Sequence, residues 1–330
     1  MGSSKKALIT GGTGFIGSAL VRFMLEAGYD LRVLDNHSRG AEARLADVRD
    51  GFELVTADIR DADAVRKAAR GMDSIIHLAY VNGTEFFYTQ PRLVLDVGVR
   101  GMLNVLDACE AEGVGDLVLA SSSEVYQTPE TVPTDETAAL SVPDPMNPRY
   151  SYGGGKIISE LLTLNWGREG FDRVLIFRPH NVYGPDMGWE HVLPQFALRM
   201  KVLCDENPQG TIPFPIQGNG RETRSFIYID DFTAGLGRIL ERGEHRNIYH
   251  IGTRDERSIR SVAESVAGVF DRDIEVVPGK LQPGGTLRRC PDISKLESLG
   301  FEPRTAFDDG VRKLTEWYVQ HADQAPKEKT

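Results

Sequence analysis

The chain has 330 residues, enough to bury a large core as one big domain or two smaller ones, and its 41% hydrophobic content is ordinary for a globular protein. A formal charge of −10 opposes loose binding to nucleic acid or to an anionic membrane, since both would be repelled, but leaves open a local basic pocket for a small anionic ligand. No apolar run approaches the length of a membrane span, and none at the N-terminus reads as a signal segment, so a cytoplasmic location is expected.

Ala7-Leu8-Ile9-Thr10 reads as a short strand. Gly11, Gly14 and Gly17 follow as Gly-x-x-Gly-x-x-Gly, and a helix starts inside that motif and runs through Ala27. The next strand, Leu31 to Leu34, ends at Asp35. Strands are expected at Phe52 to Thr56 and Ser74 to Leu78, with the charged helix Asp61 to Arg70 between them. A long helix covers roughly Arg92 to Glu112, Asp116 to Ala120 is a fifth strand, and Val174 to Phe177 a sixth. Short apolar runs separated by helices predict a parallel sheet covered on both faces, the doubly wound Rossmann type of α/β fold.

After Arg178 the prolines at 179, 185, 194, 208, 213 and 215 break up the chain. Strand-like pieces remain at Ser225 to Ile229, Asn247 to Ile251 and Ile274 to Val277. Helices are expected at Asp231 to Glu241, Ser258 to Phe270 and Phe307 to His321. The predicted organisation is therefore a dinucleotide-binding domain over 1–178 and a smaller substrate-binding region over 179–330, some of whose elements return to the first domain. The polar tail, Asp323 to Thr330, is expected to fray. Cys109, Cys204 and Cys290 are few, odd in number and far apart, which points to neither a disulfide framework nor a metal site.

The glycine loop sits where a strand turns into a helix. Glycine permits positive φ and lets the backbone touch a pyrophosphate, whose charge meets the helix N-terminus. Alone, such a turn needs no ligand. An acid at the end of the second strand changes the balance, because Asp35 can accept hydrogen bonds from ribose hydroxyls and would repel a 2′-phosphate. NAD is the expected cofactor, with Gly11, Gly14, Phe15, Ile16, Gly17 and Asp35 as contacts. A turn-forming role for Asp35 is the alternative.

Tyr152 and Lys156 are four residues apart, hence on one helical face, about thirty residues after Ser121-Ser122-Ser123 at the end of the fifth strand. An ammonium near a phenol stabilises the phenolate, so Tyr152 can take the proton of a sugar or alcohol hydroxyl while Ser122 hydrogen-bonds the same oxygen. Tyr-x-x-x-Lys by itself is common on exposed helices; the glycine loop and the serines give it meaning. Gly153-Gly154-Gly155 is odd inside a helix, and a close approach of cofactor or substrate to that face would explain it.

These segments resemble the extended short-chain dehydrogenase/reductase family, in its nucleotide-sugar epimerase/dehydratase branch. The resemblance is carried by Gly11 to Gly17, His77-Leu78-Ala79, Ser121 to Tyr126, Tyr152 with Lys156, Arg178 to Pro185, Gly218 to Asp231 and Pro291 to Lys295. It implies that Asp58 and Ile59 flank the adenine, that Leu78 and Ala79 line the cofactor cleft, and that Asn181, Arg224 and Arg289 meet a sugar-nucleotide diphosphate. It implies that Ser123 and Glu124 vary with the chemistry, and that the chain forms a homodimer through the long helix and the Tyr152 helix. Tyr80, Gly98 and the run Asp186 to His191 depart from the family's usual pattern, with a small residue usual at the first and asparagine at the second. Within that run Trp189 and His191 are either ligand contacts or packing and loop residues.

Family members begin by oxidising a sugar carbon, usually C4. Dehydratases of the family place Asp-Glu after the catalytic Thr, where this chain has Ser123-Glu124. The expected activity is an NAD-dependent nucleotide-sugar epimerase acting at C4 through a transient 4-keto sugar, with Glu124 among the catalytic residues. Ser-Glu before Val-Tyr also resembles the UDP-glucuronate decarboxylases, so a decarboxylase or 4,6-dehydratase is the alternative. A keto-sugar reductase and a non-catalytic NAD-binding regulator rank lower.

Overall fold

The computed structural model describes residues 5–280 and 286–326. The expectations placed on the first four residues, and on the tail after residue 326, lie outside the described residues.

The strands Lys6–Thr10, Ser74–His77, Asp116–Ala120 and Arg173–Pro179 are largely buried, as strands in the middle of a parallel sheet covered on both faces are, whereas Phe52–Thr56 is a half-exposed edge. In chain order come β1 (Lys6–Thr10), α1 (Phe15–Glu26), β2 (Asp30–Asp35), β3 (Phe52–Thr56), α2 (Ala62–Ala69) and β4 (Ser74–His77). Short helices α3 (Thr84–Thr89) and α4 (Pro91–Leu95) lead through a π turn, Asp96–Arg100, into α5 (Gly101–Glu112). Then follow β5 (Asp116–Ala120), α6 (Ser151–Trp166) and β6 (Arg173–Pro179). The long helix predicted from Arg92 to Glu112 is thus present but carries one wider turn, centred on Gly98.

The second half contains β7 (Val182–Tyr183), α7 (Val192–Glu206), β8 (Ile212–Ile216), β9 (Thr223–Ser225), β10 (Ile227–Tyr228), α8 (Ile229–Arg242) and β11 (Asn247–Ile251). After these come β12 (Glu256–Ser258), α9 (Ile259–Gly268), β13 (Ile274–Pro278), β14 (Arg288–Arg289), α10 (Ser294–Ser298) and α11 (Phe307–Gln320). A 3-10 turn at Ala322–Gln324 begins the polar tail. The central sheet has seven parallel strands in the order β11-β6-β5-β4-β1-β2-β3. β11 comes back from the second half to pair with β6. Strand order reverses between β1 and β4, and ligands of such sheets bind outside the strand C-termini at that reversal.

Three local differences from the predicted elements have physical causes. The proline-rich stretch holds a full helix, α7; Pro194 stands in its first turn, where the missing N–H would have no intrahelical partner anyway. β8 tolerates Pro213 and Pro215 because they point outward, alternating with buried Ile212, Phe214 and Ile216, and β8 pairs with β13 alone. The single strand expected at Ser225 to Ile229 is split between β9 and β10, and Ile229 already begins α8. Asp230 and Asp231 in that first turn favour the helix start.

One buried ion pair fixes α6 to the sheet. Arg178, at the end of β6, grips Glu160 of α6 with two parallel bonds, Nε to Oε1 at 2.9 Å and Nη2 to Oε2 at 2.6 Å. Both side chains are 2% exposed. The remaining capacity is filled: the Ser121 hydroxyl donates to Glu160, and Arg178 donates to the Tyr126 hydroxyl and, at 3.1 Å, to the Glu136 carbonyl. Removing one partner leaves a bare buried charge. Arg178→Met is therefore expected to lower unfolding free energy by about 3–5 kcal/mol, read as a fall in the urea midpoint.

Candidate active site

A cleft of about 800 Å³ opens at the C-terminal ends of β1, β4, β5 and β6. Its floor at one end is the glycine loop. Gly11 has φ of +76°, and a Cβ there would stand 2.7 Å from the Ala79 amide nitrogen. A Cβ on Gly17 would overlap the Gly11 carbonyl oxygen, so α1 can start this close to β1 only with glycine. Gly14 is the N-cap of α1, with no side-chain cap and no acid in the first turn. The amides of that turn, from Phe15 and Ile16 onward, face an open part of the cleft that suits an anion.

Asp35 does two things at once. Its Oδ2 accepts from the Thr13 amide at 2.9 Å and its Oδ1 from the His37 amide at 2.8 Å, so it holds the loop and closes its own turn. It also lines the cleft. Asp58 and Ile59 stand farther along the same wall, and hydrogen bonds from Arg60 pull the Asp58 carboxyl down to about 2. Leu78 and Ala79 border the cleft beside Gly11 of the loop. The far rim is tied to this side. Arg44 binds Asp186 through Nε to Oδ2 at 2.6 Å and Nη2 to Oδ1 at 2.8 Å. Arg39 reaches Glu190 at 3.7 Å and lies over the Phe86 ring, 4.7 Å from its centroid.

Ser122, Ser123 and Glu124 follow β5 at the other end. The Ser122 hydroxyl accepts from the Glu124 amide at 3.1 Å and caps the short turn that follows. Tyr152 and Lys156 project into the cleft from α6, and the Ser122 hydroxyl is close enough to act on the Tyr152 phenol. Asn181 lines the cleft in the left-handed region, φ +38°, with its amide donating to the Ser225 carbonyl at 2.7 Å. Arg289 donates to Glu124 at 2.5 Å and to the Thr286 hydroxyl at 3.0 Å. Of the sequence-predicted site residues, Arg224 alone does not line the cleft; its guanidinium is held by the Thr223 and Thr286 carbonyls, each at 2.7 Å.

Arg149 was not singled out by sequence reading, yet it lines the cleft and its charge acts on Glu124. Its position three residues before Tyr152, in the turn that enters α6, was the available signal. His191 lines the cleft, whereas Trp189 packs against Trp317 and Tyr318. Protein contacts, not a ligand, explain two of the three successive glycines. A Cβ on Gly153 would meet the Glu124 carbonyl at 2.9 Å and one on Gly155 would overlap the Tyr80 hydroxyl, while Gly154 faces only Val142.

The profile described as NAD dependent epimerase/dehydratase family matches residues 7–252. The chain belongs to that family. It is 32% identical over 323 residues to UDP-glucuronic acid decarboxylase 6 of Arabidopsis thaliana, covering 95% of this chain and 89% of the relative. DesIV, the dTDP-glucose 4,6-dehydratase of Streptomyces venezuelae solved with NAD, is 30% identical with a TM-score of 0.83, covering 97% and 98% of the two chains. The UDP-glucose 4-epimerase of Thermus thermophilus, solved with NAD, is 28% identical with a TM-score of 0.81, covering 95% and 99%. The chain spans about half the length, 48%, of a trifunctional UDP-glucose 4,6-dehydratase/epimerase/reductase of Arabidopsis thaliana, to which it is 29% identical.

NAD is the cofactor of this family, and the epimerase/dehydratase chain fits it. The uncapped N-terminus of α1, glycines where a Cβ would fill the cradle, and a carboxylate at the end of β2 are the donors, space and acceptor that a dinucleotide needs. Among the described residues no helix is long and apolar enough to cross a membrane.

Electrostatics within the site follow from burial. Loss of water pushes the Tyr152 phenol up to about 12, working against the Ser122 hydroxyl and helped by the charge on Glu124. It pushes Lys156 down to about 7, against the pull of Glu160. The ammonium donates to the Ala120 carbonyl at 2.6 Å and stands 5.9 Å from the Tyr152 ring centroid; burial sets the phenol, and the expected lowering by the amine is not found. Glu124 is also pushed up by burial, but Arg289, and then Arg149 and Arg224, more than reverse this and hold it ionised.

Lys156 titrates below its unfolded value, so between about pH 7 and about 10.5 unfolding takes up a proton. The burden on stability is complete below that window and gone above it. Lys156→Met should raise the melting temperature by about 3–6 °C at pH 6, with the gain disappearing as pH approaches 10, measured by calorimetry across pH.

Proposed function

We propose that the protein is an NAD-dependent nucleotide-sugar epimerase acting at C4. The observation that carries this reading is the state of Glu124. Beside Ser122 and Tyr152 it is the carboxylate best placed to serve as an acid, and Arg289 holds it as the anion. Dehydration across C5 and C6 needs a group that hands a proton to the departing hydroxyl. Epimerisation does not. It needs one acid–base group at the reacting oxygen and enough space for the keto-sugar to turn over, and a single cleft runs from the glycine loop to Arg289.

In this reading Tyr152 removes the proton of the C4 hydroxyl and later returns it. Ser122 holds the same oxygen through its hydroxyl, and Lys156 favours the phenolate when it carries its proton. Bound NAD supplies the acceptor and donor of hydride that no side chain can be. Gly11, Gly14, Phe15, Ile16 and Gly17 hold its pyrophosphate, Asp35 its ribose, Asp58 and Ile59 its adenine, and Leu78 and Ala79 the middle of the dinucleotide. Ser123, Asn181 and Arg289 bind the nucleotide-diphosphate sugar; Arg224 contributes through its charge near Arg289 and Glu124. A homodimer through α5 and α6 is supported on the α6 side by Ile158 and Leu161, which are exposed.

One observation favours a second reading. Arg149 brings a third guanidinium to the sugar end, with its Nε buried and without a partner among the described residues. A sugar that carries its own carboxylate would use that charge, as in a uronate decarboxylase.

Incubating the purified protein with a panel of nucleotide hexoses and uronates, with products read by NMR, tests both. The expected result is interconversion of C4 epimers with no net change in NAD. Release of CO2 from a nucleotide uronate, with no epimer formed, would establish the second reading instead. Tyr152→Phe should cut turnover by about a thousandfold while leaving the melting temperature within a degree or two.

A further inference from the structure

Tyr80 and Gly98, two of the departures from the family's usual pattern, meet in space. Gly98 occupies the π turn between α4 and α5, and a Cβ there would overlap the Tyr80 hydroxyl. A Cβ on Gly155 of α6 would overlap the same oxygen. Tyr80 therefore fills a slot cleared by one glycine on each of two neighbouring helices. The hydroxyl at the end of that slot is buried and has no hydrogen-bond partner among the described residues. An unpaired buried hydroxyl is unfavourable, so the hydroxyl does not account for a tyrosine here.

The ring does have partners. Lys156 Nζ stands 3.9 Å from the Tyr80 ring centroid, and the Tyr152 ring meets it edge-on, with centroids 5.2 Å apart at 87°. Phe87 stacks on the other side of Tyr152 at 4.9 Å. We infer that Tyr80 is a positioning residue for the amine: its ring face carries the Lys156 ammonium and holds it between the Ala120 carbonyl and Tyr152, Gly98 is the clearance that ring requires, and Gly155 clears its hydroxyl. The inference rests on the role proposed for Lys156 beside Tyr152, but the contact can be tested without turnover.

A buried ammonium has lost its water, and the electron-rich face of an aromatic ring replaces part of it. The groups that face Lys156 are few. Ala120 offers its carbonyl, and Glu160 lies one turn along α6. Tyr80 and Tyr152 offer ring faces. His77, at the end of β4, feels the Lys156 charge and is pushed down to about 3, mainly by burial and then by that charge, so it stays neutral. Tyr80 is itself pushed up by burial and keeps its proton, so the ring stays uncharged.

The test is an NMR titration of NAD-loaded protein carrying isotope-labelled lysine, with the Lys156 signal identified by its loss in Lys156→Met. Tyr80→Phe keeps the ring and should leave the Lys156 midpoint within a few tenths of a pH unit. Tyr80→Leu removes the ring while keeping the slot filled and should lower the midpoint by about one pH unit. If Tyr80→Leu does not fold, Gly98→Ala displaces the same ring and should give a similar fall. An unchanged or raised midpoint in the folded ring-loss variant overturns the inference, and so does an equal fall in Tyr80→Phe, which would assign the effect to the hydroxyl. A fall as expected, in a protein that converts no nucleotide sugar, would keep the contact and remove the epimerase reading; the reverse pattern would do the opposite.

Discussion

The site depends on how α6 is fixed, and the buried pair of Glu160 with Arg178 fixes it. Tyr152, Lys156 and Glu160 follow one another at four-residue spacing along one face of that helix. The carboxylate at the inner end is held by the arginine from β6 and by the Ser121 hydroxyl from the end of β5. The amine in the middle is bonded to the last carbonyl of β5. The phenol at the outer end is thereby set against Ser122. Rotation of α6 by one residue would carry all three off the sheet together, so the pair behaves as a datum from which the reacting groups are measured. Two buried charges are tolerable here because hydrogen bonds fill their remaining capacity.

Charge in the cleft is organised in opposition to the chain as a whole. The protein carries a formal −10, yet Arg149 and Arg289 in the cleft, with Arg224 just outside it, act on the carboxylate of Glu124. This is the local basic pocket that composition left room for. At the α6 end the logic is different: the same loss of water that raises the phenol lowers the amine, so both groups are pressed toward their neutral forms. The two ends therefore do separate work. One gathers positive charge, and the other sets a phenol and an amine at fixed points on α6.

Much of this was legible in the sequence because it rests on local rules. Phe52 to Thr56, Asp116 to Ala120 and Asn247 to Ile251 were bounded correctly as strands, each a short apolar run between turn signals. The glycine spacing and the Tyr152–Lys156 spacing are likewise local, and the structure brings both sets to one cleft. What escaped depends on contacts between distant segments. Prolines hid α7, because a proline in a first helical turn looks like one in a loop. Arg149 carries no motif. Arg224 has the right chemistry and is turned aside by two backbone carbonyls. Tyr80 and Gly98 appeared as two separate oddities eighteen positions apart, and only the fold shows that each is the condition for the other.

The ties between Arg44 and Asp186 and between Arg39 and Glu190 cross from the β2 side of the cleft to the loop after β7. NAD held on the glycine loop, as proposed, would be confined by these ties, which border the same cleft. For a reaction that restores its coenzyme in every cycle, such confinement has no penalty. Under the proposed reaction the coenzyme would stay as a resident part acquired once per protein molecule, and turnover would be insulated from the redox balance of the surrounding nucleotide pool.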